Sequence, residues 1–376
     1  MSRNSLISLL AALCWLCPVS AEAKQDAPSG HSLNVAEMQA KAAQGFVKQE
    51  LELAAAYFAG RGVPKDLTQA AYWYRKAADQ GNPAAQVYLG YLYSVGLGVP
   101  QDTAEAIRWY RRAASSNFPL AEVNLAAHYM RGDGVKQDTA EALRLLRSAE
   151  EKGYGRADAY LGWASYSGSG VPVDHAAAEA WLKKGVKRHD PEAECFLAEW
   201  DAYEPGHVPD VALEVRLLRL SAATGYVPAI HGLGLLLVNH PELPQVREEA
   251  INLLMSSAEA GYWPSSATLG ILARDGRLVP KDQREAYRWL RIAVAQGGSP
   301  AETYVRHELQ RLARSLADIT SAEQEAAEWL QSHPDHDLFA FANERNAKYF
   351  PILEVYAIAH APAVDNEVES QAEKPN

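Results

Sequence analysis

Cysteine is nearly missing from this chain of 376 residues: there are three, Cys14, Cys17 and Cys195. The first two fall inside a segment that reads as an export signal, so the mature protein is expected to keep Cys195 alone, which excludes an intramolecular disulfide. An exported chain without that staple has to hold itself together by packing. Cys195 sits in an apolar helical pattern and is expected to be a buried, inert thiol. Basic charge is also short, with 36 Lys and Arg against 47 Asp and Glu for a net charge of -11. That balance excludes the footprint of a nucleic-acid binder. No G-x-S-x-G elbow, S-x-x-K pair, H-E-x-x-H helix or P-loop occurs, so the common signatures of hydrolases, zinc proteases and nucleotidases are absent. No catalytic residue, cofactor or metal is expected. His333-Pro334-Asp335-His336-Asp337 gathers potential ligands, but its proline breaks any helix that would align them and it reads as a solvated loop.

Long apolar runs are few as well. Leu6 to Cys17 is apolar apart from Ser8 and follows Arg3, yet it is shorter than the roughly 20 residues a bilayer requires. Ala21-Glu22-Ala23 then forms an A-x-A cleavage pattern. Residues 1–23 are therefore expected to be a cleavable signal peptide with Lys24 as the mature start, and no integral membrane anchor is expected. Leu13 and Leu16 stand where a lipoprotein signal needs small residues, which argues against a lipid anchor.

What the chain does have is a period of 36. Trp73, Trp109, Leu145, Trp181, Leu217, Leu253 and Trp289 fall at that step. So do Ala85, Ala121, Ala157, Ala193, Ala229, Ser265 and Ala301, and also Ala54, Gly90, Ala126, Gly162, Ala198, Gly234 and Gly270. A glycine column runs through Gly45, Gly81, Gly153, Gly225, Gly261 and Gly297, with Asn117 and His189 in its two vacant places. Each repeat reads as two helices. Ala84 to Tyr93 carries small and apolar residues at helical spacing and predicts a helix A, ended by Gly96-Leu97-Gly98-Val99-Pro100. Asp102-Thr103-Ala104-Glu105 has the form of a capping box and opens a helix B, as do Asp66 to Gln69, Asp138 to Glu141 and Asp282 to Glu285. One helix pair cannot hide both of its apolar faces, so neighbours must stack, and the fold class is all-α, an α-solenoid.

The loops Gly60-Arg61-Gly62-Val63-Pro64-Lys65-Asp66, Gly96 to Asp102, Gly132 to Asp138 and Gly168 to Asp174 carry a resemblance. With the Ala-x-x-Trp helices that follow, they resemble Sel1-like repeats, relatives of tetratricopeptide repeats. The resemblance implies a right-handed superhelix of about eight helix-turn-helix repeats whose concave face binds other proteins. Residues 24–44 are then a leader and N-terminal capping helix, and 45–296 the array of seven repeats. Residues 297–332 are a divergent repeat and C-terminal capping helix, and 333–376 an extension whose acidic tail is expected to be disordered. The fifth repeat puts Pro205-Gly206-His207-Val208-Pro209-Asp210 in place of the Gly-x-Gly loop, and the sixth has Asn239 to Pro244 with no capping Asp; both departures could distort the superhelix.

Tyr91, Trp163 and Glu199 share a column of helix A beside the small-residue column, and that place varies while the scaffold is constant. With Tyr166 and Tyr203 near the loops, they are the candidates for binding protein, although Tyr91 and Trp163 could equally fill gaps between repeats. Charge is uneven: Lys24 to Arg188 is mildly basic and His189 to Asn376 strongly acidic, a polarity that could orient a partner. Exported proteins similar in family regulate envelope sensor kinases, support exopolysaccharide secretion, or act as immunity proteins against type VI phospholipase-type effectors. The resemblance thus implies a periplasmic, non-catalytic binder, with immunity placed first. The alternative of a different class is a protein that binds or hydrolyses β-lactams, as proposed for cysteine-rich relatives whose disulfides this chain lacks.

Overall fold

The computed structural model describes residues 35–333 apart from 205, 241, 243–245 and 317. The expected signal at 1–23, the leader up to residue 34 and the extension beyond His333, including most of the His333 to Asp337 motif, lie outside the described residues. Within them there are sixteen helices and no strand. After α1 (Val35–Ala43) the chain alternates helices A and B. The A helices are α2 (Val47–Ala59), α4 (Pro83–Val95), α6 (Pro119–Arg131), α8 (Gly155–Ser167), α10 (Pro191–Tyr203), α12 (Val227–Asn239) and α14 (Trp263–Asp275). The B helices are α3 (Leu67–Asp79), α5 (Thr103–Ser115), α7 (Thr139–Glu151), α9 (His175–Lys187), α11 (Val211–Ala223), α13 (Val246–Glu259) and α15 (Gln283–Ser315), and α16 (Thr320–Ser332) closes the array.

Each helix packs on the ones before and after it, and consecutive A helices also touch, as α8 does α10 and α10 does α12. The A helices are therefore the inner row of the stack. The column Ala85, Ala121, Ala157, Ala193, Ala229 and Ser265 is fully buried. Beside it, the small column sets the closeness of A to B: a Cβ on Gly90 would lie 2.8 Å from the Tyr110 ring and one on Gly270 2.8 Å from Leu290 Cγ.

The loops follow from backbone chemistry. Gly96 ends α4 in the left-handed region at φ 75°, which glycine adopts without strain. Gly98 is needed for space, since a Cβ there would sit 2.1 Å from the Leu67 carbonyl oxygen of the preceding repeat. The expected caps form: Asp66, Asp102, Asp138 and Asp282 accept from the backbone N–H groups of Gln69, Glu105, Glu141 and Glu285 at 2.9 to 3.0 Å. The glutamates turn outward instead, Glu105 to Arg108 and Glu141 to Arg144.

In the turn from B back to A, Gly45, Gly81, Gly153, Gly225 and Gly261 take positive φ. Asn117 and His189, the two replacements in that column, adopt the same region at φ 58° and 56°. Gly297 does not: it stays helical, and α15 runs on without a turn to Ser315. The expected boundary at 297 between the seventh repeat and the divergent unit is thus a continuous helix, because a glycine permits a turn without enforcing one.

The fifth repeat keeps its geometry despite its loop. Elsewhere the capping Asp donates its backbone N–H to a helix A carbonyl, as Asp102 does to Tyr93 at 2.9 Å. In repeat five the Asp201 carboxylate takes over, accepting from Asp210 N at 2.6 Å and pairing with His207 Nε2 at 2.8 Å. Asp210 still caps α11 through Leu213 N.

Candidate functional site

A ladder of buried polar pairs runs through the array. In four of the seven repeats the fourth residue of helix A reaches a residue thirty positions on, in the B half of the same repeat. Glu50 accepts from Gln80 at 2.7 Å, Glu122 pairs with Lys152 at 2.6 Å, Asp158 with Arg188 at 2.6 Å, and Ser266 with Gln296 at 2.5 Å. In repeat five the carboxylate is Glu194, 3% exposed, while the residue thirty further on is Thr224, whose hydroxyl donates to Ser221 O instead. Burial, with the nearby Asp190, pushes Glu194 up to about 7.

The second irregularity of the same repeat is Glu214. Its column reads Ala70, Ala106, Ala142, Ala178, Glu214, Ala250 and Ala286, and every one of the alanines is fully buried against helix A. Glu214 is 4% exposed, and among the described residues no side chain donates a hydrogen bond to it or forms an ion pair with it. Burial lifts it to about 7; Asp201 and Asp210 act in the same direction, and His240 and His207 oppose it.

Glu214 lines an open cleft of about 270 Å³ between α10 and α12, floored by α11. Ala198, Glu199, Ala202 and Tyr203 form one wall, Gly232, Leu235, Leu236, Asn239 and His240 the other, and Pro209, Val211 and Leu218 complete it. Both walls are A helices, so the cleft opens on the inner row. A neighbouring crevice, lined by Trp163, Tyr166, Leu182, Phe196, Glu199 and Trp200, has only about 10 Å³ of room, enough for no more than a water.

Of the residues singled out from the sequence, Glu199 and Tyr203 thus stand together on the cleft wall, Tyr203 37% exposed. Trp163 and Tyr166 line the adjoining crevice, Tyr166 buried and Trp163 half-buried. Tyr91 lies apart, 5% exposed, in the packing of α4 with Leu92 and Trp109. Cys195 is buried and places its thiol 3.5 Å from Glu199 Oε1. Glu214 was missed, although the column that holds it was readable: one carboxylate among six alanines.

Among the described residues no group of three or more His, Cys, Asp or Glu is placed to hold a metal ion, and no helix is long and apolar enough to cross a membrane. His333, the one described residue of its motif, stacks on Trp329 at 4.1 Å.

Comparison with known proteins agrees with this architecture. The Sel1 repeat family model matches residues 50–82, 83–118, 119–154, 155–190 and 269–298. The internal span between its matches, 191–268, holds the two repeats with altered loops, and the helix pairs continue through it. A Sel1 repeat protein from Oxalobacter formigenes is 31% identical, over 57% of this chain and 86% of that one, with a TM-score of 0.47. A protective antigen of uropathogenic Escherichia coli with an SLR fold is 25% identical over 91% of this chain and 76% of its own, also at 0.47. An immunity protein from Pseudomonas aeruginosa is 19% identical over 57% and 83%, at 0.43. No curated protein matches the chain.

Proposed function

The chain belongs to the Sel1-repeat family, and on that premise we propose that it is a non-catalytic array that binds another protein along the row of A helices, sequestering or regulating that partner. The observation that carries this reading is the cleft of repeat five. It departs from the repeat consensus on both walls and the floor, and it opens where consecutive A helices meet. Variation on a constant frame is how a solenoid acquires a partner without changing its fold.

The specific role we propose is that of a periplasmic immunity protein, which neutralises a phospholipase-type effector of type VI secretion by covering the mouth of its active site. Occlusion requires a rigid surface and no chemistry. The buried pairs that tie A to B in repeats one, three, four and seven contribute rigidity, because a surface set before binding loses little entropy on docking.

Crosslinking of tagged protein in its native periplasm, with mass spectrometry of what is captured, tests this. The expected result is one secreted lipase-like enzyme whose activity falls in proportion to added protein until the two are equimolar. Capture of a sensor kinase or a secretion subunit instead rejects immunity and leaves the protein-binding reading standing. Saturable β-lactam hydrolysis that is lost on unfolding rejects the non-catalytic reading itself.

A further inference from the structure

We propose that the repeat-five cleft is a socket for a basic side chain, a lysine or arginine of the partner polypeptide, with Glu214 as its counter-ion. The proposal rests on the protein-binding reading and names the chemistry that the site recognises.

Four observations carry it. Glu214 replaces an alanine that the other six repeats bury at the close contact of A and B, so the fold does not require a carboxylate there. The carboxylate is almost wholly buried, faces the cleft and has no hydrogen-bond donor or ion-pair partner among the described side chains. A buried charge of this kind is costly unless something pairs it. The rest of the cleft suits a cation on an aliphatic stem: Leu235 and Leu236 offer apolar wall, Glu199 a second carboxylate, and Tyr203 an aromatic ring at the rim. The half of the chain that contains the cleft is also the acidic one, which favours approach of a basic partner.

The charged groups that act on Glu214 electrostatically are Asp201 on α10, His207 in the loop, Asp210 at the start of α11 and His240 at the end of α12. The two aspartates keep the field negative, and the histidines weaken it only when protonated. An incoming cation stabilises the ionised form of Glu214, so binding should release protons near neutral pH and tighten as pH rises from 6 to 8.

The test uses the whole mature protein titrated with Nα-acetyl-lysine methylamide, its norleucine counterpart and putrescine, followed by NMR and calorimetry. The expected result is weak binding of the lysine analogue that shifts resonances of Tyr203 and Leu235, with the norleucine analogue at least about tenfold weaker. Glu214→Ala, which restores the residue of the other six repeats and should therefore fold, is expected to lose that binding, and Glu214→Gln to lose its pH dependence. Equal affinity of wild type and Glu214→Ala for the lysine analogue overturns the socket, even where a partner is captured. Putrescine binding more tightly than the lysine analogue overturns a polypeptide as the source of the cation. The protein-binding reading fails separately, when crosslinking returns no specific protein while the analogue still binds.

Discussion

Glu194 and His189 show how a single side chain can oppose the repeat that holds it. Glu194 has the position of Glu50, Glu122 and Asp158 but not their partner, and its folded-state pKa of about 7 stands above the ordinary 4.5. Between those two values the folded chain holds more proton at this site than the unfolded chain does. Stability contributed by the protonated carboxyl is therefore present at low pH, falls as pH rises through about 5 to 7, and is fully lost above that. Glu194→Gln, which keeps the shape of the protonated form, is expected to be more stable than wild type by roughly 1 to 3 kcal/mol at pH 8, and about equal to it below pH 4.5. Urea unfolding at the two pH values checks this; an equal gain at both would sink it. His189 bears a different load, a left-handed backbone at φ 56° on an exposed side chain. Glycine fills that column in most repeats, so His189→Gly is expected to stabilise by about 1 kcal/mol, read as a raised urea midpoint. A lowered midpoint would mean that the imidazole holds the turn.

At the scale of the helix pair, most of the architecture was legible. The period, the small columns and the Asp caps each report a local requirement that recurs along the array, the caps in six of the seven repeats, so coincidence among repeats exposes it. What recurs only once is harder to read. Asp201 replaces a backbone acceptor with its own carboxylate, and no pattern in the loop Gly206 to Asp210 announces that. The continuous α15 was hidden for the same reason, since Gly297 looks like its column and behaves otherwise. The cleft was half legible: Glu199 and Tyr203 stood out on helix A, whereas Glu214 lies on helix B and became visible only when its column of alanines was followed. The pair Arg156 and Glu192, one on α8 and one on α10, shows the limit best. They share a column 36 residues apart, both are buried, and they meet at 3.0 Å, an ion pair between repeats. Arg156→Met leaves Glu192 buried without a counter-charge and is expected to cost about 3 to 5 kcal/mol, while the double variant Arg156→Met with Glu192→Leu recovers most of that loss. A denaturation cycle over the four proteins measures the difference, and a single-variant cost below about 1 kcal/mol would show that water already screens the pair.

The described helices form a stack in which each rests mainly on its sequence neighbours. Its ends therefore matter in a way that the ends of a globular domain do not, because a terminal repeat has one face covered only by a cap. At the C-terminal side that cap is α16. Trp329 packs edge-on against Trp289 at 5.5 Å, Glu323 accepts from the Tyr287 hydroxyl at 3.1 Å, and Ala322 and Ala326 are buried beneath. Ending the chain after Asp318 uncovers Trp289 and the apolar stripe of α15. The loss should stay local, since no described contact carries it past the next repeats. Hydrogen exchange is expected to quicken by an order of magnitude or more across α14 and α15, and to remain unchanged from α4 to α9. Faster exchange along the entire array would instead show that the repeats open as one unit. In that case the cleft of repeat five, two repeats in from the same end, would depend on α16 as well, and lysine-analogue binding would fall with the truncation.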